Sequence, residues 1–246
     1  GTGAITYTST GVGGPEAREL IAPFACQVVR HRPFFTLKLG VSLDGRLADF
    51  RHHSRWITGP DARREVQAMR RRADAILVGA GTVRHDNPSL WPRPDRQRNP
   101  WRIIVVRDRP LPAAAQVFRD VHADRTIIAA PRGWHPGGAR RLRAANVKVL
   151  ELPRRGFFPA LAKELGDLGI LRVLCEGGGI VAGELLRALL VDELCLFISP
   201  KLIGGPVGAV GTRHWMLESA PGFRIRDVRR IGPDLFVHLF PKARED

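Results

Sequence analysis

Residues 171–190 read LRVLCEGGGIVAGELLRALL, and this stretch is the clearest guide to the fold of the chain. Its first five residues are largely apolar and predict a buried strand. Three glycines follow Glu176, and apolar residues from Val181 to Leu189 then recur at the spacing of one helix face. A strand that turns directly into a helix is the unit from which parallel α/β sheets are built. The stretch therefore predicts an α/β fold.

The rest of the chain keeps the same alternation of strands and helices. Strands are predicted over 34–43, 74–78, 102–106, 126–130, 148–150, 171–175 and 193–199, and helices over 61–73, 138–145, 159–168 and 180–190. The last two predicted strands, over 223–230 and 235–240, have no helix between them, so we expect them to pair as an antiparallel hairpin at one edge of the sheet. We predict a single α/β domain over 33–246 with a mostly parallel central sheet, preceded by an N-terminal arm over 1–32.

Composition and charge limit the classes of protein that fit the chain. Hydrophobic residues make up 44% of the 246 residues and charged residues 26%, which is typical of a soluble globular protein and argues against disorder. The formal net charge of +15 admits a nucleic-acid-binding protein, but no zinc-finger or RNA-recognition pattern accompanies it. Arginines that cover a solvated surface or bind small phosphates are therefore the favoured explanation, and we expect no nucleic-acid partner.

The cysteines and the N-terminus bear on metal binding and location. Cys26, Cys175 and Cys195 are far apart and form no C-x-x-C pair, which predicts neither a zinc site nor a disulfide framework. Residues 1–9 lack the basic and apolar regions of a signal peptide, and no apolar run approaches the roughly 20 residues of a membrane helix. We therefore expect a cytoplasmic protein without a metal and without a membrane span.

Two glycine-containing turns, at 79–81 and 177–179, follow predicted strands and are candidates for ligand contact. Ligands of open parallel sheets bind beyond the carboxyl ends of the strands, and free N–H groups at a helix start attract phosphate. For the turn at 177–179 a purely structural role and a phosphate site are equally open, although the Glu176 carboxylate beside it favours a ligand. Thr82 and Asp86 would share a helix face after the other turn, where a simple capping role is slightly favoured. Neither turn matches the G-x-G-x-x-G pattern of a Rossmann site.

Lys38 is a further candidate because it lies in the middle of an apolar predicted strand. An ammonium group is costly to bury unless it faces a polar ligand or partner. A position in which the side chain reaches the sheet edge and solvent is the other explanation, and the strand pattern alone does not decide between the two.

Several motifs occur in order along the chain: LKLGVSLDGRLA from Leu37, SRWITGPDAR from Ser54, ADAILVGAGTV from Ala73 with DNP after it, EGGG from Glu176, and LVDEL with ISPKLIGG after it. Together they resemble the riboflavin-biosynthesis reductase family, which is the RibD C-terminal domain. The resemblance covers roughly residues 33–240. It implies a dihydrofolate-reductase-like fold, in which a three-layer sandwich surrounds the mostly parallel sheet, and it implies a homodimer.

The resemblance implies an NADPH-dependent reductase that acts on 5-amino-6-(5-phosphoribosylamino)uracil. The ribosyl ring opens, and a hydride from the nicotinamide reaches the sugar C1 to give the ribitylamino product. We expect the turns at 79–81 and 177–179 to lie side by side and to hold the reduced dinucleotide. The many arginines suit two anionic ligands, because a guanidinium binds phosphate through two parallel hydrogen bonds.

Matching positions carry the site roles of the family to this sequence. The implied cofactor contacts are Gly40, Trp56, Thr82, Asp86, Gly178, Gly179, Ile180, Val181, Ala182, Gly183 and Glu184. The implied substrate contacts are Ser54, Arg70, Leu90, Arg93 and Glu176. Within this set we expect Arg70 and Arg93 near the substrate phosphate, and Glu176 at the ribosyl hydroxyls or the amine. Glu176 and Lys38 are the candidate catalytic residues, with Lys38 polarising or protonating the opened sugar imine.

The sequence departs from the family pattern at two places where substrate is expected. Residues 86–93 read DNPSLWPR, with Trp91 and Pro92 where the family has smaller residues, and the turn over 49–53 is bulkier than usual. A related reductase that acts on another phosphorylated or pterin-like substrate is therefore the alternative, and a basic nucleic-acid-binding protein is a remote one. The zinc-deaminase patterns H-x-E and P-C-x-x-C do not occur in the sequence, so we expect no deaminase activity.

Overall fold

The computed structural model describes residues 14–93, 99–134, 142, 145–211 and 213–242. Its strands are β1 (Phe34–Ser42), β2 (Ala75–Gly79), β3 (Trp101–Val105), β4 (Thr126–Pro131), β5 (Lys148–Leu152), β6 (Arg172–Cys175), β7 (Glu193–Ser199), β8 (Phe223–Ile231) and β9 (Asp234–Pro241). Its helices are α1 (Gly14–Arg30), α2 (Pro60–Arg72), α3 (Ala80–Asp86), α4 (Phe157–Asp167) and α5 (Gly179–Arg187). None of these helices has the length and apolar character needed to cross a bilayer. The helix predicted over 138–145 falls outside the described residues except at positions 142 and 145.

The strands of the described residues form one sheet in the order β5-β4-β3-β2-β6-β1-β7-β9-β8. The neighbours from β5 to β7 are parallel, β9 is antiparallel to β7, and β8 is antiparallel to β9 at the edge. The predicted fold, with a mostly parallel central sheet and an antiparallel C-terminal edge hairpin, is confirmed. The central strands β2, β3 and β4 are buried along almost their whole length because apolar clusters cover both of their faces.

Helical layers on both faces of the sheet give the predicted three-layer sandwich. α4 and α5 pack on one face, where Leu185 of α5 lies in one apolar cluster with Leu37 of β1. α2 packs on the other face, where its Val66 shares a cluster with Phe197 of β7. Because side chains alternate along a strand, Lys38 points to the α2 face, and its Nζ lies 5.8 Å from the ring centroid of Phe197.

The segment predicted as an N-terminal arm contains a helix, α1, which docks at the start of β1. Asp192, just before β7, accepts hydrogen bonds from Arg30 and Arg32 at 2.8 and 2.6 Å. It also accepts one from the N–H of Phe35 at 2.8 Å. One buried carboxylate therefore joins α1, β1 and β7, while the division between arm and domain at residue 32 stays a prediction.

Replacement of Asp192 by alanine should lower the free energy of unfolding by about 3–5 kcal/mol, because it leaves the mostly buried Arg32 guanidinium without its partner. Urea denaturation followed by circular dichroism measures this loss. Asp108→Ala is the matched control, since Asp108 and its partner Arg154 are both exposed and 3.5 Å apart. It should change the unfolding free energy by less than about 0.5 kcal/mol. Equal effects of the two substitutions would contradict this account of how α1 docks.

Candidate active site

The adjacent strands β2 and β6 place two glycine-containing turns on one rim of the sheet. They pair in parallel with Leu77 opposite Cys175, and the N–H of Glu176 donates to the carbonyl oxygen of Leu77 at 2.9 Å. The turns at 79–81 and 177–179 begin just beyond these pairs. They therefore lie side by side, as predicted, at the carboxyl ends of the strands, where open parallel sheets bind ligands.

The side chain of Val181 packs closely against both turns. A Cβ added at Gly79 would lie 2.9 Å from Val181 Cγ2, and one at Gly177 would lie 2.8 Å from Val181 Cβ. These two glycines are therefore required by packing, with no need of a ligand to explain them. A Cβ at Gly81 or Gly178 would instead meet no atom of the described residues within 4 Å, so the open side of the turns lies there.

The start of α5 adds main-chain donors beside this open side. Gly178 is the N-cap, and the N–H of Ala182 bonds back to its carbonyl oxygen at 3.1 Å. The N–H groups of Gly179, Ile180 and Val181 precede the first bonded position of the helix, and such groups are well oriented to receive an anion. Val181 and Ala182 are buried, so only their main-chain atoms can reach a ligand, whereas the side chain of Ile180 is exposed.

Gly179, Gly183 and Glu184 pack against the loop that crosses α5. A Cβ at Gly179 would lie 2.3 Å from the carbonyl oxygen of Gly208, and one at Gly183 would lie 2.6 Å from Cγ of Arg213. Glu184 accepts a hydrogen bond from the guanidinium of Arg213. These three members of the predicted cofactor set fasten the loop to the helix, and their direct contact with a cofactor stays a prediction.

Gly179→Ala should lower the free energy of unfolding by at least about 2 kcal/mol, because the loop carbonyl must move to admit the methyl group. Gly178→Ala is the matched control. Its Cβ would project into open space, and its φ of −66° suits alanine, so its loss should stay below about 1 kcal/mol. Urea denaturation of both variants measures the difference, and a larger loss in Gly178→Ala would contradict the packing described here.

Lys38, Arg70 and Glu176 form a buried ionic cluster at the same rim. Arg70 donates from Nε and Nη2 to the two carboxylate oxygens of Glu176 at 2.6 and 2.9 Å. The side chains of this pair are only 14% and 10% exposed. Lys38 directly follows Leu37, which pairs with Cys175, so it stands beside Glu176 on the neighbouring strand.

Burial and charge change the acidity of this cluster. Burial lowers the pKa of Lys38, an effect that Arg70 reinforces and that the Glu176 carboxylate offsets only in part. Burial alone would raise the pKa of Glu176, but the Arg70 guanidinium and the Lys38 ammonium outweigh it and hold that pKa below its usual range. The cluster thus combines an ionised carboxylate with an unusually acidic ammonium, a pair suited to orient a polar group and to donate a proton.

Arg70 is bonded to Glu176, and its predicted contact with the substrate phosphate stays a prediction. Its Nε and Nη2 both donate to Glu176. Arg93, the other predicted phosphate contact, has an exposed side chain, and its main chain bonds to Gln67 at 2.9 Å and to Arg71 at 3.0 Å, both on α2. The fold therefore brings Arg70 to the catalytic candidates and leaves the guanidinium of Arg93 at the surface.

Gly40 and Trp56, two predicted cofactor contacts, differ in what they offer a ligand. A Cβ at Gly40 would lie 3.6 Å from Lys38 Nζ and 3.4 Å from Thr58 Cγ2, so a larger residue there would press on the lysine. Trp56 is 62% exposed, and the guanidinium carbon of Arg63 lies 4.5 Å from its ring centroid. An exposed indole is a suitable surface for a planar ligand, but the contact with cofactor stays a prediction.

The loop before α2 and the helix α3 bring two predicted contacts together. Ser54 Oγ donates to Asp86 Oδ1 at 3.3 Å, and Arg55 donates to the main-chain carbonyl oxygen of Asp86. α3 begins at Ala80, so Thr82 and Asp86 lie four residues apart on one helix and share a face. A predicted substrate contact, Ser54, and a predicted cofactor contact, Asp86, are thus direct neighbours.

The loop over 87–93 is anchored by Arg102, which is not among the predicted site residues. Leu90 is 1% exposed, so only its main chain can reach a substrate. Arg102 of β3 is fully buried and donates to the carbonyl oxygen of Ser89 at 3.1 Å, which holds this loop against the sheet. An arginine within an apolar strand is the sequence signal for such an anchor, because a guanidinium is buried only where it is bonded.

The chain is similar to curated proteins of riboflavin biosynthesis. Residues 33–237 match the family described as the RibD C-terminal domain. The chain is 36% identical over 242 residues to the riboflavin biosynthesis protein RibD of Bacillus amyloliquefaciens, which covers 96% of this chain and 65% of that protein. It is 34% identical over 252 residues to RibD of Escherichia coli strain K12, covering 94% of this chain and 66% of that protein. The chain thus spans just under two thirds of the length of these relatives.

The fold of the chain is also similar to solved structures of RibD proteins. RibD of Acinetobacter baumannii, form 2, aligns with a TM-score of 0.80 at 25% identity, covering 94% of this chain and 64% of that chain. A Thermotoga maritima protein aligns with a TM-score of 0.79 at 29% identity, covering 93% of this chain and 62% of that chain. It is described as a diaminohydroxyphosphoribosylaminopyrimidine deaminase/5-amino-6-(5-phosphoribosylamino)uracil reductase.

Proposed function

This chain belongs to the RibD C-terminal domain family, and we propose that it reduces 5-amino-6-(5-phosphoribosylamino)uracil to the ribitylamino product with NADPH. The observation that carries the proposal is the buried cluster of Lys38, Arg70 and Glu176 beside the two glycine-containing turns. One rim of the sheet thus combines an acidic ammonium, a fixed carboxylate and main-chain donors suited to phosphate. The Thermotoga maritima relative is described as having this reductase activity.

The residues at the rim fit NADPH in two respects. Gly81 and Gly178 leave open space over the turns, and the N–H groups at the start of α5 can receive one of its phosphates. When bound, NADPH supplies a hydride. Trp56 and Ile180 would contact it through exposed side chains, and Val181 through its main chain. The remaining proposed contacts are Gly40, Thr82, Asp86, Gly179, Ala182, Gly183 and Glu184.

Lys38 is the proposed proton donor. Reduction of the opened sugar imine adds a hydride to C1 and a proton to the attached nitrogen, so an acid is needed at that nitrogen. Burial and the neighbouring Arg70 lower the pKa of Lys38, which makes its ammonium a stronger acid than that of a lysine in water. The neutral amine that remains is tolerated in the buried cluster, and solvent returns the proton to this half-buried side chain.

Glu176 is proposed to orient the substrate and to keep Lys38 protonated. Its carboxylate is held by Arg70 through two hydrogen bonds and stays ionised, because Arg70 and Lys38 hold its pKa low despite burial. An ionised carboxylate accepts hydrogen bonds from the ribosyl hydroxyls or from the amine. The same negative charge opposes the loss of the Lys38 proton.

The substrate phosphate is proposed to bind Arg93 in preference to Arg70. Arg70 is committed to Glu176 through two of its nitrogens, whereas the guanidinium of Arg93 is exposed and its main chain is fixed to α2. A guanidinium with a fixed main chain and an open tip can bind a phosphate through two parallel hydrogen bonds. Ser54 and the main chain of Leu90 complete the proposed substrate contacts.

One observation favours a second class of substrate. Trp91 stacks on His122 with ring centroids 3.5 Å apart, and Pro92 is buried beside it. The stacking on His122 fixes Trp91 in the loop where the substrate is expected, which favours a different shape of ligand. Another phosphorylated or pterin-like substrate is therefore the second candidate, and turnover of dihydrofolate without turnover of the aminouracil would select it.

We also propose that the protein is a homodimer, as the family resemblance implies, and that it lies in the cytoplasm, as its cysteine pattern predicts. Light scattering should then give twice the chain mass of 27.2 kDa. A mass of one chain at micromolar concentration would contradict the dimer without affecting the proposed chemistry.

Binding of NADPH tests the proposed cofactor. At about 100 times its dissociation constant, NADPH should raise the melting temperature by about 5–10 °C, because it binds only the folded state. Gly178→Ala should reduce this shift, since its methyl group would enter the open side of the turns. No shift with NADPH, together with salt-dependent binding of duplex DNA, would instead support the nucleic-acid-binding alternative.

A further inference from the structure

Three side chains with different metal-binding atoms meet on the α2 face, next to the C-terminal hairpin. Glu193 and Cys195 lie two residues apart on β7, and His238 of β9 pairs directly with Cys195. One ligand atom from each of the three lies within 4.8 Å of the others. The antiparallel pairing of β7 with β9 thus joins Glu193 with a residue 45 positions further along the chain.

The cluster is held in place and can be reached from solvent. Thr36 Oγ1 donates to Glu193 Oε2 at 2.5 Å, and Glu193 Oε1 lies 2.7 Å from His238 Nε2. Cys195 is buried, whereas the side chains of Glu193 and His238 remain 14% and 18% exposed. All of them line a groove of about 1240 Å³ between α1, α2 and the sheet. The hydrogen bond from Thr36 would orient the Glu193 carboxylate toward a bound ion.

Against the expectation from the cysteine spacing, we propose that Glu193, Cys195 and His238 bind a divalent cation of the zinc class, with a fourth coordination position open to the groove. Oxygen, sulfur and nitrogen donors together suit Zn²⁺, whereas Ca²⁺ and Mg²⁺ prefer oxygen alone. Ligand bonds of about 2.0–2.3 Å in a tetrahedral site place the donor atoms about 3.3–3.8 Å apart. The three ligand atoms lie within 4.8 Å of one another, so small side-chain rotations can bring them to these distances.

The charge balance permits a cation despite the nearby arginines. A metal binds cysteine as the thiolate, so the Cys195 thiol releases one proton when the ion binds. The thiolate and the carboxylate then carry two negative charges, which match a divalent ion. Arg172 lies 3.6 Å from Glu193 and supplies no ligand atom. The contact that the ion replaces is the hydrogen bond between Glu193 and His238.

Titration of the full chain, without an affinity tag, with Co²⁺ tests the site. Co²⁺ bound to Cys195 should give a thiolate-to-cobalt charge-transfer band in the near ultraviolet and strong visible bands of a tetrahedral site. Both should saturate at one ion per chain, and Zn²⁺ should displace the cobalt, since it binds such donors more tightly. Competition with a chromophoric chelator then gives the dissociation constant for Zn²⁺. None of these measurements depends on reductase activity.

Two substitutions of proposed ligands and one control substitution test whether these residues bind the ion. Cys195→Ser should abolish the charge-transfer band, and His238→Gln, which keeps a donor to Glu193, should weaken Zn²⁺ binding by at least about 10–100-fold. If Cys195→Ser does not fold, the Zn²⁺ affinity of His238→Gln is sufficient to test the site. His53→Gln, at an exposed histidine outside the cluster, should change neither reading. A wild-type titration without the band, a band retained in Cys195→Ser, or equal Zn²⁺ affinity in His238→Gln and the wild type would overturn the proposal.

Discussion

Lys38→Met should lower kcat for reduction of the phosphoribosylaminouracil by about 10²–10⁴-fold, the range typical of a lost general acid. Methionine nearly keeps the length of the side chain and removes the ammonium that we propose as the proton donor. The fold should persist, because Glu176 retains its two hydrogen bonds from Arg70. The dissociation constant of NADPH should change far less than kcat, and steady-state kinetics with a direct NADPH titration separates the two.

Lys163→Met is the matched control for this substitution. Lys163 lies exposed on α4, on the other face of the sheet, and bonds to Asp167 at 2.6 Å. Loss of an exposed helix ion pair costs little, so kcat should stay at the wild-type value. Unchanged turnover in Lys38→Met would remove Lys38 from the mechanism.

Glu176→Gln should lower the free energy of unfolding by about 3–5 kcal/mol and should also lower kcat. The substitution leaves the largely buried cation of Arg70 and the half-buried cation of Lys38 without the carboxylate that compensates them. Urea denaturation measures the loss of stability. Glu151→Gln, at an exposed position of the edge strand β5, is the control and should change the unfolding free energy by less than about 0.5 kcal/mol. If Glu176→Gln lost no more stability than Glu151→Gln, the Glu176 carboxylate would not be stabilising the cations of Arg70 and Lys38.

The pH dependence of kcat should change in the same variant. The proposed donor works only while Lys38 is protonated, so activity falls as the pH rises through its lowered pKa. Glu176 raises that pKa and Arg70 lowers it, and glutamine removes only the raising effect. The alkaline limb of the kcat profile should therefore lie at lower pH in Glu176→Gln than in the wild type. A limb at unchanged or higher pH would argue against Lys38 as the donor.

Much of the fold follows from local patterns in the sequence. The stretch over 171–190 passes from an apolar run through glycines to a helix face, and the structure has the strand Arg172–Cys175 and the helix Gly179–Arg187 there. The absence of a helical pattern between the last two predicted strands likewise indicates their hairpin. Gly232, with a φ of 58°, makes that turn without the strain that a side chain would bring. Such features are local, so one sequence is enough to predict them.

The helix α1 shows what local patterns do not reveal. Leu20 and Phe24 are exposed by 82% and 63%, and Pro23 lies between them. Apolar residues that are mostly exposed do not distinguish a helix from an irregular arm. α1 is instead fixed by Arg30, its last residue, and by Arg32 just after the helix, which both bond to Asp192 about 160 residues away.

The candidate site could be predicted in its parts and not in its arrangement. Lys38 in an apolar strand and Glu176 at the start of a turn are visible in the sequence as costly or well-placed charges. The bond between Arg70 and Glu176 joins residues 106 positions apart, and it depends on how α2 packs over β6. The same holds for Glu193 and His238, which come together only because β9 pairs with β7. Tertiary packing therefore decides which charges become partners.

Turnover by the purified chain is the most direct test of the proposed reductase site. With NADPH and 5-amino-6-(5-phosphoribosylamino)uracil, the absorbance of the reduced nicotinamide should fall in step with the formation of a product heavier by two hydrogens. Dihydrofolate should produce no such fall. Binding of NADPH without any turnover of the aminouracil, or turnover of dihydrofolate alone, would contradict the proposed reaction.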